Sequence, residues 1–146
     1  MQVQDIMSGN PACCTPDSTI EEAARMMAAH DCGEIPVLDE QRRPVGVVTD
    51  RDIACRAVAQ GMSPQTSVME VMSVPAITVS RQTSLEECCE IMEDNQIRRV
   101  PVVDSQGVCC GIVAQADLAI RGSEELTGEL VRDVSRPRAD GPAARI

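Results

Sequence analysis

Gly46-Val47-Val48-Thr49-Asp50-Arg51-Asp52 is followed, 65 residues later, by Gly111-Ile112-Val113-Ala114-Gln115-Ala116-Asp117. The same offset sets Ile35-Pro36-Val37 on Val100-Pro101-Val102, and Asp5-Ile6-Met7-Ser8 on Glu70-Val71-Met72-Ser73. A slip of one residue is needed only between Pro11 and Ile20. Self-similarity at a fixed spacing is the signature of a duplicated structural unit, and two copies of about 53–60 residues cover most of this chain.

Each copy reads as strand, helix, strand, strand, helix, an α+β pattern. The first helix opens on doubled capping boxes, Ser18-x-x-Glu21 and Thr19-x-x-Glu22, matched by Thr83-x-x-Glu86 and Ser84-x-x-Glu87. Its apolar stripe is Ile20, Ala23, Ala24 and Met27 in one copy and Leu85, Cys88, Cys89 and Met92 in the other. Both follow the i, i+3, i+4, i+7 spacing of a helix with one buried face. Ile35–Leu38 and Val45–Val48, joined by the polar turn Asp39–Arg43, predict a hairpin, as do Val100–Val103 and Gly111–Val113. A second helix is predicted over Asp50–Ala59 and Gln115–Ile120, stopped by Gly61 and Gly122. The expected organisation is a first repeat at 1–61, a linker at 62–67, a second repeat at 68–122, and a segment at 123–146. That last segment holds a short amphipathic stretch (Leu126, Leu130, Val131, Val134) and a Pro- and Arg-rich tail expected to be mobile.

Composition narrows the function. The 146 residues include no Phe, Tyr or Trp, all 13 cationic side chains are arginine, and the net charge is −10. Without rings to stack on and with so acidic a body, neither single-stranded nor duplex nucleic acid is an expected partner. No apolar run reaches the length of a membrane span, and the N-terminus lacks a signal-peptide pattern, so a cytoplasmic protein is expected. The eight cysteines form no C-x-x-C, and His30 is the sole histidine, so no metal site is expected. Cys88 and Cys89 stand where the sister helix has alanines. Cys110 matches Val45, Cys32 matches Ile97 and Cys55 matches Ile120, so the thiols are expected to act as small core fillers. A thiol- or metal-responsive use of Cys13, Cys14, Cys109 and Cys110 stays open, should they approach one another. No nucleophile sits beside a histidine, no phosphate-binding glycine loop is present, and no lysine exists to serve one. Catalysis is not expected.

The tandem I-M-S…S/T-x-x-E…I-P-V…G-V-V-T-D-R-D pattern resembles the cystathionine-β-synthase (CBS) domain pair, or Bateman module, over about residues 1–122. The resemblance implies β-α-β-β-α repeats packed with pseudo-twofold symmetry. It also implies two clefts able to hold adenosine-type ligands, and association as homodimers. On that pattern the chain is a stand-alone regulatory module that senses an adenine nucleotide (AMP, ADP or ATP, with NAD or S-adenosylmethionine as further options). It would signal to an unknown effector protein by a change of conformation or assembly. No cofactor is required. The alternative is a ligand-free dimerisation or protein-interaction module.

Family members use the Thr and Asp of T-x-x-D toward phosphate and ribose, which puts Thr49 and Asp52 first among the candidate residues. The chemistry suits them: a carboxylate can accept both hydroxyls of a vicinal diol, and a helix start favours an anion. The same four residues form an ordinary capping box, and the two roles are compatible. By the family pattern, the first cleft would add Arg51, Ala76, Ile77, Thr78, Ile97, Arg98 and Arg99. Ile97 would cover a base face, and the arginines would grip phosphate. The second cleft would pair Ala114 and Asp117 with Pro11, Ala12, Cys13, Cys14, Cys32, Gly33 and Glu34. There Ala114 removes the hydroxyl and Glu34 stands in place of Arg99. The second cleft is therefore expected to bind a phosphorylated ligand more weakly.

Overall fold

The structure, a computed structural model, describes residues 1–121. Gly122, the expected stop of the last helix, and the segment at 123–146 lie outside the described residues. Two compact units are present, and each draws on both sequence copies. One comprises Asn10–Ile77 with Ser105–Cys109, and the other Met1–Gly9, Thr78–Asp104 and, among the described residues, 110–121. They are called the first-copy and second-copy units below.

In the first-copy unit, α1 (Ile20–His30) starts where the capping pattern places it. Thr19 Oγ1 accepts from the Glu22 amide at 3.1 Å, and Glu22 Oε2 accepts from the Thr19 amide at 3.1 Å. The helix ends at Asp31, whose left-handed backbone (φ 50°) turns its N–H back to the Met27 carbonyl. Ile20, Ala23 and Met27 face inward. Ala24, expected in the stripe, is exposed, whereas its counterpart Cys89 is buried. The position lies at the rim of the apolar arc, and a single methyl there does not reach under the neighbouring surface.

Strands β1 (Glu34–Leu38) and β2 (Pro44–Thr49) form the expected hairpin, antiparallel with Ile35 opposite Val48 and an irregularity between Val37 and Leu38. Asp39 closes the turn, its Oδ1 accepting from the amides of Gln41 and Arg43 at 2.9 Å each. Cys14 adds to the edge as a single parallel bridge to Val37. The predicted second helix is not uniform. α2 (Asp50–Asp52) runs on as a π-helical segment, Ile53–Ala57, and a 3-10 turn, Val58–Gln60, before Gly61 (φ 71°) ends it. Ala57 is buried and Ile53 half-buried on its inner side. Cys55, midway between them, projects outward and is exposed, so the expectation that it fills the core is overturned.

The second-copy unit holds β3 (Val79–Ser80), α3 (Leu85–Asn95), β4 (Arg99–Val103), β5 (Cys109–Ala114) and α4 (Gln115–Arg121). The strands order β3-β4-β5, with β3 parallel to β4. Ser84 Oγ caps α3 by accepting from the Glu87 amide at 3.1 Å, and Leu85, Cys88, Cys89 and Met92 are buried as expected.

What assembles each unit is an exchange of opening segments. In the first-copy unit, Ser73 pairs with Val47 through two backbone hydrogen bonds (2.8 and 3.0 Å), while Val68 and Val71 lie fully buried in the core. In the second-copy unit, Ser8 pairs with Ile112 in the same way (2.9 and 3.0 Å), and Val3 is fully buried. Burying each such valine stabilises by roughly 1.5–3 kcal/mol. The approach is close because glycine lies beneath it. A Cβ on Gly46 would stand 2.8 Å from the Ser73 carbonyl oxygen, and one on Gly111 would stand 2.8 Å from that of Ser8.

Burial also sets the chemistry of the thiols. It pushes Cys14 up to about 11 and Cys88 up to about 12, with smaller contributions from the adjacent Cys13 and Cys89. Burial likewise raises Cys110, whose thiol donates to the Val102 carbonyl at 3.5 Å. Because the folded protein holds these protons more tightly than the unfolded chain, their contribution is complete below pH 9.0 and is lost as pH rises through the folded values. Stability to urea should therefore fall between pH 9 and pH 11 to 12, and a small maleimide at neutral pH should label Cys55 well before Cys14 or Cys88. Gly46→Ala and Gly111→Ala should each cost about 1–3 kcal/mol, read as a lower urea midpoint at unchanged slope. Gly9→Ala, which meets nothing within 4 Å, is the near-neutral control.

Candidate ligand-binding site

The junction between β2 and α2 carries the Thr49-x-x-Asp52 motif, and both ends are buried: Thr49 is 1% and Asp52 5% exposed. The capping reading is fully realised. Thr49 Oγ1 accepts from the Asp52 amide at 3.0 Å, and Asp52 Oδ2 accepts from the Thr49 amide at 3.0 Å. Two further residues, not singled out in the sequence, converge on the same carboxylate. Ser73 Oγ donates to both of its oxygens at 3.1 Å each, and Arg56 Nε stands 3.8 Å from Oδ1. Arg56 Nη1 also donates to the carbonyls of Val71 and Met72, at 3.4 Å each. The repeat alignment already marked Ser73, as the counterpart of Ser8. No local pattern reveals that its hydroxyl crosses to Asp52.

Other candidates fall as follows. Arg51 is exposed in the first turn of α2, its amide held by Asp50 Oδ1 at 2.8 Å. Ala76 and Ile77 are half-buried at the end of the first-copy unit. Thr78, Ile97, Arg98 and Arg99 are half-buried in the second-copy unit, where Arg98 accepts from the Gln115 amide through its carbonyl at 2.8 Å. Pro11, Ala12 and Cys13 are half-buried. Cys14 is a core residue: its side chain is buried, its amide donates to the Pro36 carbonyl, and its carbonyl accepts from Leu38. Cys32 donates weakly from Sγ to the Glu34 carbonyl at 3.7 Å. Gly33 lies so near Asp50 that a Cβ there would meet Asp50 Oδ2 at 2.8 Å. An acidic side chain thus joins Glu34 beside this segment.

The second motif is weaker in its geometry as well as in its composition. Asp117 is half-buried, and its Oδ2 accepts from the Ala114 amide at 2.8 Å. Ala114 has no hydroxyl to return the bond, so only half of the reciprocal box is made. His30 is exposed at the end of α1, as expected. Among the described residues, no group of three or more His, Cys, Asp or Glu side chains could hold a metal ion, and no helix is long and apolar enough to cross a membrane.

Comparison with known proteins agrees with this architecture. The CBS domain-containing protein YhcV of Bacillus subtilis is 43% identical over 134 residues, spanning 91% of this chain and 94% of that protein. Among solved structures, Hypoxic Response Protein I, described with two coordinated zinc ions, superposes with a TM-score of 0.77 at 34% identity. The match covers 83% of this chain and 98% of that one. The CBS domain pair of MJ0100, in complex with 5′-methylthioadenosine and S-adenosyl-L-methionine, gives 0.73 at 31% identity, over 82% and 94% of the two chains. PAE2072 of Pyrobaculum aerophilum, complexed with AMP, gives 0.74 at 28% identity, over 90% and 99%. The CBS domain model itself matches twice, at residues 3–57 and 68–123, and the chain belongs to the CBS domain family as a tandem pair.

Proposed function

We propose that this chain is a cytoplasmic, homodimeric regulatory module that binds an adenosine phosphate and signals through a change of conformation or assembly to an effector protein. The observation that carries the reading is Asp52. It is a carboxylate 5% exposed, fixed at a helix start beside the Thr49 hydroxyl. Such a group is already desolvated and oriented, so a ligand diol does not have to organise it. The adenosine ligands of the MJ0100 and PAE2072 structures support the ligand class. The proposed ligand residues are Thr49, Arg51, Asp52, Ala76 and Ile77 of the first-copy unit and Thr78, Ile97, Arg98 and Arg99 of the second-copy unit, with the arginines assigned to phosphate and Ile97 to the base. The weaker candidates are Pro11, Ala12, Cys13, Cys14, Cys32, Gly33 and Glu34 of the first-copy unit and Ala114 and Asp117 of the second-copy unit. Asp50 beside Gly33 adds negative charge there and disfavours phosphate further. The module acts by binding and not by catalysis. A ligand moves its conformational equilibrium only in so far as it prefers one state.

One observation favours the second reading, a ligand-free interaction module: every bond of the Thr49–Asp52 cap is satisfied within the chain. A thermal-shift series separates the two. It uses a dye for detection because the chain has no aromatic residue, and it compares AMP, ADP, ATP, NAD and S-adenosylmethionine at fixed salt. A ligand at about a hundred times its dissociation constant adds roughly 2.7 kcal/mol, a shift of several degrees for a chain of this size. Zinc belongs in the same series, given the likeness to Hypoxic Response Protein I. Asp52→Asn should weaken nucleotide binding about tenfold or more, and Asp117→Asn should weaken it far less. No shift with any adenosine compound favours the interaction module. Two equal sites, or loss of binding only in Asp117→Asn, overturns the assignment of the stronger site.

A further inference from the structure

Asp52 is tied not only to its own helix but to the segment that opens the second sequence copy. Ser73 Oγ divides one hydrogen between the two carboxylate oxygens. Arg56 spans from Oδ1 to the carbonyls of Val71 and Met72. The main chain of that segment is held to the first-copy unit by the Ser73–Val47 pairing, and the amides of Val71 and Met72 close onto the Val68 carbonyl. Oδ2 is committed to the Thr49 amide as well, so Oδ1 is the oxygen with acceptor capacity left for an incoming donor.

We propose that Asp52 is a relay: a ligand hydroxyl donating to Oδ1 displaces the share now held by Ser73 and Arg56, and loosens Val68–Ser73 from the first-copy unit. This rests on the nucleotide-binding reading above. Ser73 confines its hydrogen to Oδ2, and Arg56, displaced from Oδ1, loses the contact that steadies its grip on the Val71 and Met72 carbonyls. Ser73 and Arg56 are positioning residues that act through Asp52. The segment they hold is the last part of the first-copy unit before the chain leaves it after Ile77. A bound ligand is thereby converted into a change in an exchanged segment. Neither the capping role nor ligand binding alone requires such a change.

The test is hydrogen–deuterium exchange on the full chain, with and without saturating AMP, ATP or S-adenosylmethionine. On binding, the amides of Val71, Met72 and Ser73 should exchange several-fold faster while the Thr49 and Asp52 amides slow. Without ligand, Asp52→Asn should raise exchange at the same three amides about tenfold, the effect of losing a charge-assisted hydrogen bond on local opening. Ser73→Ala, the milder change, should abolish the ligand-induced acceleration, and Ser73→Thr, which keeps the hydroxyl, should restore it. Binding that leaves these amides unchanged or slower overturns the relay while leaving the nucleotide reading intact. So does an Asp52→Asn or Ser73→Ala protein with wild-type behaviour at all three. If none of the three compounds binds, the nucleotide reading falls and the relay falls with it.

Discussion

Everything in the fold rests on two short backbone pairings, Ser73 with Val47 and Ser8 with Ile112. Each brings the opening segment of one sequence copy against a strand of the other, and each requires glycine at the point of closest approach. The hairpin, the capped helix and the valines that seal the core are all placed relative to that contact. The duplicated G-V-V and G-I-V therefore follow from a backbone demand for room. Side-chain chemistry does not explain them.

The same contact delivers Ser73 to Asp52. A carboxylate 5% exposed would carry a heavy desolvation cost if left bare. Here it is satisfied from three directions: a main-chain amide, a hydroxyl and a guanidinium. In the second copy the burial and the hydroxyl are both reduced, since Asp117 is half-buried and Ala114 replaces Thr49. The two motifs descend from one pattern, yet only one is built to hold a charge in a fixed position.

How much of this was legible depends on range. Helix starts at Thr19 and Ser84, the β1–β2 hairpin and the burial of Cys88 and Cys89 are local or periodic features, and the sequence carried them plainly. The repeat and the T-x-x-D motif were equally visible, as was the loss of the hydroxyl at Ala114. Three things were not. The exchange of Met1–Gly9 and Val68–Ser73 leaves no mark in the alignment, because equivalent segments align the same way whichever copy they pair with. The π-helical stretch at Ile53–Ala57 changes the helical phase without changing residue type, and Cys55 lies outward between the inner positions Ile53 and Ala57. The Ser73–Asp52 bond spans 21 residues and belongs to no short motif.

Synthesis order meets an obstacle in this arrangement. The first-copy unit cannot close until Val68, Val71 and Ser73 have emerged from the ribosome, well after its own helices are made. The segment Met1–Gly9, made about a hundred residues earlier than its partner, has to wait for Ile112. Non-local contacts of this kind slow folding and keep apolar strands uncovered meanwhile. Two sequence copies that look independent on paper are thus bound to fold together, each unit idle until the other copy's residues are in hand.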